Sequence, residues 1–398
     1  MTKEIVFNEL LDYPLRSGVT VAAASRGSGI KMLNMGELFR FPRIPNVEMA
    51  RVNLTGFNAQ RSLLKRHDLM FARRSLTLEG AGKCSIVEQV HEPTTWESSI
   101  IRARLDPSIA DARFYFYYFN SPSGRRQMET IVEQVAAAGI RLTELGKLTV
   151  PFPTLHAQRA IADVLGAIDD KVTSNSSVGD AAFSLAGALY DQAVAGVPVR
   201  AMGQVLNPIL GGTPARANLE FWEGSHFWAS AKDVTGASCG VIIDTDERIS
   251  DSAITTTKAK PLPAGSVILT ARGTVGAVAR LAKPSSFNQS CYGFAPGRLP
   301  AGVLYFSILR ATARAKAFAH GSVFDTITMK TFDHLHLPDL DAAGASRIEA
   351  VVTPLLDSVT AAVIQNSVLV ATRDALLPQF MSGKLRVRDA EKVLEGVL

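Results

Sequence analysis

Residues 161–176 read IADVLGAIDDKVTSNS, and residues 348–363 read IEAVVTPLLDSVTAAV, 187 positions later. At that constant offset Ile161, Leu165, Ile168, Val172, Asn175, Gly179, Ala182, Ala186 and Leu189 pair with Ile348, Val352, Leu355, Val359, Ala362, Asn366, Leu369, Arg373 and Leu376. Steps of four and three residues alternate throughout, which is the a/d seam of a coiled coil sustained over four heptads. Helices of about 35 to 40 residues would reach roughly 50 to 60 Å, a rigid spacer. Each seam holds one asparagine, Asn175 or Asn366. Such a residue either fixes register through a buried amide or marks a solvent-facing break, and the pattern leaves both open. Pro354 removes a backbone donor and crowds the preceding turn, so a kink or fresh start is expected at Thr353.

The chain outside these segments is basic. Of 42 Lys+Arg and 37 Asp+Glu in 398 residues, residues 1–153 hold 20 and 15, and residues 197–338 hold 14 and 9. The helical segments are acidic, with 2 against 5 in residues 154–196 and 6 against 8 in residues 339–398. Two separate basic blocks suit a protein that meets a polyanion at two places, because neutralising phosphates supplies sequence-independent affinity.

The basic blocks repeat each other as well. Asp68-Leu-Met-Phe-Ala-Arg-Arg74 leads through a glycine-containing loop to an apolar run at 84–87, and Ser266-Val-Ile-Leu-Thr-Ala-Arg272 leads through Gly273-Thr-Val-Gly276 to another at 277–281. Arg74 and Arg272 sit at equivalent places. Pro14 followed by Gly18 corresponds to Pro208 followed by Gly212, and each block closes on a proline, Pro151 or Pro338. Strand-like runs at 267–270 and 241–243 alternate with turn clusters, and helical stretches fall near 114–119 and 303–318, so both blocks read as mixed α/β. The expected fold is α+β: two mixed domains, 1–153 and 197–338, separated by helices in 154–196 and 339–398 that form an antiparallel coiled coil with pseudo-twofold symmetry.

Hydrophobic residues make up 47% and charged residues 20%, a globular composition. The longest apolar stretches, such as 132–140 and 361–364, are shorter than the roughly 20 residues that cross a bilayer. Residues 1–9 lack the basic start and apolar core of a signal peptide, so a cytoplasmic location is expected. Cys84, Cys239 and Cys291 lie far apart without CxxC or CxxH spacing, so they read as ordinary thiols, neither disulfide framework nor zinc site.

The whole chain resembles the specificity subunits of type I restriction-modification systems. The resemblance is carried by Gly211-Gly-Thr-Pro214, by the strand, arginine and glycine-loop units at 68–82 and 266–276, and by Pro151-Phe-Pro153 leading through Gln158 to Ile161-Ala-Asp-Val-Leu165 and Asp169-Asp-Lys171. The closing Leu376-Leu-Pro-Gln-Phe-Met-Ser-Gly-Lys-Leu385 matches too. It implies two target-recognition domains, each reading one half of a split double-stranded DNA sequence. It also implies partner methyltransferase subunits that use S-adenosylmethionine to methylate adenine, and ATP-dependent restriction subunits; no cofactor is expected on this chain. The first domain departs from the pattern by four extra residues between Arg74 and Gly82 and by lacking the Gly-Thr-Pro run. Alternatives are the specificity component of another methylation-based phage-defence complex, a stand-alone DNA-modifying enzyme, and a coiled-coil scaffold, against which the charge partition counts.

Arginine can bond guanine bidentately or anchor phosphate, and glycine lets backbone approach a duplex. The expected DNA contacts are therefore Arg73, Arg74, Arg272, Gly273 and Thr274, with surface salt bridges as the alternative for the arginines. Lys31, Arg61, Lys65, Thr213, Arg216, Lys232 and Lys330 form a second group, for whose cations a solvated role is the alternative. Phe114-Tyr-Phe-Tyr-Tyr-Phe119 could stack on bases but reads better as the core face of a helix. Catalytic patterns are fragmentary. Gly80-Ala-Gly-Lys83 lacks the first glycine and final hydroxyl of a phosphate loop, and Ser28-Gly-Ile-Lys31 lacks companion motifs. Asn207-Pro-Ile-Leu210 lacks the second proline and the aromatic of an adenine-binding tetrapeptide. The seven histidines show no metal-ligand spacing. The expected protein is a recognition subunit without chemistry of its own.

Overall fold

The computed structural model describes residues 3–54, 61–134, 138–318 and 326–385; residues 386–398 of the expected C-terminal tail, and 135–137 of the apolar stretch at 132–140, lie outside them. The chain divides into two compact units, Met1–Lys171 with Leu369–Leu398, and Val172–Val368.

In the first unit a five-stranded sheet has the order Leu11–Ser17, Ile100–Leu105, Leu69–Ala72, Cys84–Val87 and Arg43–Ile44. All neighbours are antiparallel except the last pair, which is parallel. Leu69–Ala72 and Cys84–Val87 are buried at every residue, since layers cover both faces of these inner strands, and so they read as unbroken apolar runs. A three-stranded sheet, Ala50–Val52, Arg26–Leu33 and Thr94–Trp96, covers one face. The helix Ala112–Asn120 supplies the aromatic core: its rings from Phe114 to Phe119 are buried, and Phe119 meets Phe7 and Phe71 edge-on at 5.1 and 5.0 Å. Asp111 caps that helix by accepting from Arg113 N–H. Ser121 and Pro122 then end it and start the next, Pro122–Glu129, as an N-cap and N1 proline should. The aromatic run is thus core, as its spacing suggests.

The second unit repeats this topology. Its five-stranded sheet runs Ile209–Leu210, Cys291–Phe294, Val267–Thr270, Val278–Leu281 and Val241–Ile242, again antiparallel except for the last pair. Its three-stranded sheet, Glu247–Ile249, His226–Ala229 and Ser285–Phe287, has the same one antiparallel and one parallel pairing as its counterpart. Each unit also closes with a two-stranded pairing, Glu4–Val6 with Thr149–Pro151 and Val199–Ala201 with His336–Pro338. A further small sheet of Arg74–Ser75, Ala138–Gly139 and Glu133–Gln134 belongs to the first unit.

Two long helices, Leu155–Ala193 and Ala342–Met381, each pass through both units. Within the second unit they run antiparallel: Val172 and Ser176 meet Asn366, and Gly179 approaches Ala362. Ile161, Leu165, Ile168, Ile348, Val352, Val359, Leu369 and Leu376 of the expected seam are buried, while Val172, Leu189 and Leu355 are half-buried. The second helix continues through Pro354 without a fresh start at Thr353. An interior proline costs about 3 kcal/mol, less than is gained by burying Ile348, Val352, Leu356 and Val359 on the two sides of it, at roughly 1.5–3 kcal/mol each. This helix ends as a Schellman motif: Gly383 takes φ 69°, Gly383 N–H donates to Phe380 and Lys384 N–H to Gln379.

The same helix, whose apolar runs are short, is by length and composition apolar enough to cross a bilayer. Val352, Leu356, Val359 and Leu369 are buried, but Val351, Ile364 and Val368 stand exposed, as do Val178 and Leu185 on the first helix.

Candidate nucleic-acid interface

In each unit the central strand of the five-stranded sheet runs into an exposed loop, and four backbone hydrogen bonds frame that loop identically. Gly82 N–H donates to Ala72 as Gly276 N–H does to Thr270, both at 2.8 Å. Ala72 N–H donates to Lys83 as Thr270 N–H does to Ala277, both at 2.9 Å. Arg73 and Ala271 donate to Ser99 and Ser290, at 2.8 and 2.7 Å, and the carbonyls of Arg73 and Ala271 accept from Ile140 and Ile327, both at 3.0 Å. Gly82 and Gly276 have φ of 67° and 76°, a region where a Cβ would be strained. The registration makes Arg74 and Arg272 equivalent, the correspondence expected from sequence.

The same bonding moves another correspondence by one residue. Gly18 N–H donates to Ile100 and Gly211 N–H to Cys291, so Gly18 matches Gly211 and not Gly212. Val19 and Gly212, donating to Trp96 and Phe287, form the next matched pair. Pro14 and Pro208 therefore do not occupy equivalent positions.

Arg74, Arg272, Gly273 and Thr274 are exposed. Neither the Arg74 nor the Arg272 guanidinium has a hydrogen-bond or ion-pair partner among the described residues. Arg73 is half-buried, with NH1 donating to Ser98 O at 3.4 Å. The two loops differ in reach: the longer one in the first unit carries Leu76, 99% exposed. It is nevertheless ordered by Thr77 N–H to Ser75 Oγ at 3.1 Å and Gly80 N–H to Thr77 Oγ1 at 3.2 Å.

A cation from the helical layer reaches each loop. Arg125 NH2 donates to the carbonyls of Glu79 and Ala81 at 2.9 and 3.3 Å, and Lys316 Nζ donates to that of Gly276 at 2.8 Å. Lys83, at the foot of the first loop, turns inward to Phe39 O at 3.0 Å. Burial holds its ammonium below the usual lysine range, and the Arg125 charge adds to the effect. The phosphate-loop resemblance of Gly80–Lys83 thus ends in a lysine committed to the fold.

The second group of expected contacts separates. Lys31 is a correction: it is only 4% exposed and bonded to Glu92 at 2.9 Å and Asn46 at 3.2 Å, so its charge is neutralised inside the first unit. Arg216 is exposed but held bidentately by Glu247 and stacked 3.7 Å over Trp222; Glu247 raises its pKa further. Lys232 pairs with Asp246 at 2.8 Å. Thr213 donates to Gln289 Oε1. Arg61, Lys65 and Lys330 are exposed. Lys65 precedes the strand Leu69–Ala72 whereas Arg73 and Arg74 follow it, so they lie on the order of 15–20 Å apart at opposite ends. Arg125, Lys316 and Leu76 were not singled out from sequence. The signal for Leu76 is an apolar residue inside the four-residue extension, but no local pattern marks the two cations.

Two stretches, residues 44–178 and 196–342, match the family model described as the Type I restriction modification DNA specificity domain. The chain is 24% identical over 162 residues to the type I restriction enzyme MjaIX specificity subunit of Methanocaldococcus jannaschii, a match covering 40% of this chain and 38% of that relative. It is also similar to the crystal structure of the S subunit of a type I restriction-modification system from M. genitalium. That match has 14% identity and a TM-score of 0.62 and covers 95% of each chain; at that identity it speaks for the fold.

Proposed function

We propose, for a chain that belongs to the type I restriction modification DNA specificity family, that it is the DNA-recognition subunit of such a system and reads a split duplex target with the loops after Ala72 and Thr270. The observation that carries this reading is the duplicated frame, which presents Arg74 and Arg272 at matched positions with unneutralised guanidiniums. A buried sheet fixes the backbone on both sides of each loop, so little conformational freedom remains to be lost when an arginine meets a guanine edge or a phosphate. Gly273 and Thr274 complete the second loop. Lys65, Arg61 and Lys330 add exposed positive charge, and a DNA role for Arg216 or Lys232 requires exchange of its carboxylate partner.

The partners are methyltransferase and restriction subunits, and methyl transfer, translocation and cleavage belong to them. S-adenosylmethionine and ATP accordingly bind to those subunits. Exposed Val178 and Leu185, seven residues apart and hence on one helix face, together with Val351, Ile364 and Val368, offer apolar surface for docking.

The test is to map methylated adenines in DNA from cells carrying the complete system, then repeat it with residues 197–338 replaced by the matching segment of a relative. One half of a split sequence should change and the other persist, with half-sites about one helical turn, roughly 34 Å, apart. A change in both halves, or an undivided target, contradicts the reading.

A further inference from the structure

We infer that Arg125 and Lys316 are positioning residues that set the discrimination of the two reading loops, each for its own half-site; this rests on the reading that those loops face DNA. Each cation bonds backbone carbonyls near the returning foot of its loop, where the chain rejoins the sheet. Gly276 has φ 76° and no side chain to restrict its peptide, and its carbonyl is the one that Lys316 Nζ holds at 2.8 Å. A Cβ at Gly276 would lie 2.5 Å from Lys316 Cε and 2.9 Å from Thr312 Cγ2, so the absent side chain is also what admits the lysine. In the first unit Arg125 spans Gly80 by holding the carbonyls on both sides of it.

The two braces use different residues from different helices, Pro122–Glu129 and Ala301–Phe318, yet act on neighbouring positions of the same frame, Ala81 directly preceding Gly82, the counterpart of Gly276. A carbonyl bonded to a cation resists rotation of its peptide plane, and loop geometry decides whether Arg74 or Arg272 reaches a base edge or only the backbone. Neither brace needs to touch DNA. Removing one should therefore lower the preference for the correct base more than it lowers overall affinity.

Arg125→Met and Lys316→Met keep much of each aliphatic stem and remove the donor; Lys316→Arg restores one. The full chain is presented with a randomised duplex library and the bound fraction sequenced. Lys316→Met should reduce base preference about tenfold at positions of one half-site only, Arg125→Met likewise at the other half only, and Lys316→Arg should keep most of the preference. Unchanged preference in both halves, or loss in both halves from either variant, overturns the inference. Hydrogen exchange on the same chains without DNA keeps it separable from the DNA reading. Amides of 273–277 should exchange about tenfold faster in Lys316→Met with the rest unchanged, and equal protection there also overturns it. If the wild-type chain selects no split sequence while these amides still loosen, the DNA reading fails and the brace stands.

Discussion

Asn175 donates its side-chain amide to the side-chain carbonyl of Asn366 at 3.0 Å across the helix pair of the second unit. The same amide reaches Gln365 Oε1 at 2.8 Å, and Asn366 returns a bond to Val172 O at 3.2 Å and another to Ser176 Oγ at 3.0 Å. Of the two roles open for these asparagines, the structure selects the paired one. A register slip would separate both amides from their partners.

Asn366→Ala should therefore cost about 1–2 kcal/mol, because half-buried partners lose their bonds. The Asn175→Ala, Asn366→Ala double variant should cost less than the sum of the singles, with a coupling of about 0.5–3 kcal/mol in urea unfolding. Strict additivity would mean that the pair does not act as a unit.

Within the first unit Asp169 is nearly buried and accepts from Tyr117 Oη at 2.7 Å and from Arg373 NH1 at 2.7 Å. Arg373→Met should destabilise this unit by about 3 kcal/mol, since it removes a hydrogen-bonded cation from a buried carboxylate. Denaturant titration checks this. A loss within experimental error would show the pair to be no more than a surface contact.

Arg272→Ala should weaken specific binding with fold and assembly intact. Contact with a guanine edge predicts a loss of about 1–3 kcal/mol at one base position. Contact with phosphate predicts a uniform loss and a salt slope smaller by about one. Arg74→Ala should act in the same way on the other half-site. Titrations on cognate and altered duplexes at several salt concentrations separate these cases, and unchanged affinity throughout would exclude these loops.

Hydrogen bonds from Arg51 and then Lys31 depress the Glu92 carboxyl to about 2. A depressed folded pKa adds stability that is fully present above the unfolded value of about 4.3 and is lost as pH falls through about 2. Stability should thus decline across that acid window in the wild type, and Glu92→Gln should flatten that part of the decline while lowering stability at neutral pH. Parallel acid profiles for the two proteins would remove the assigned cause.

The helix seam, the duplicated order of strand, arginine and glycine loop, and the equivalence of Arg74 with Arg272 were legible in the residues themselves. Helical periodicity and turn chemistry are local, written at spacings of three, four or a few residues, and a repeat preserves them in order. Neighbours distant in sequence were not legible. Lys31 reads as an exposed base until Glu92 and Asn46 close on it, and Pro354 reads as a break until the surrounding core outweighs it. The pairing of Asn175 with Asn366, and the grip of Arg125 and Lys316 on loops some 40 residues away, depend on which surfaces the sheets and helices bring together. Sequence alone therefore determined the elements and their repetition, because short-range sterics and hydrogen bonding encode them. Tertiary structure decided which charges are neutralised and which remain available, because that depends on partners supplied only when distant segments pack.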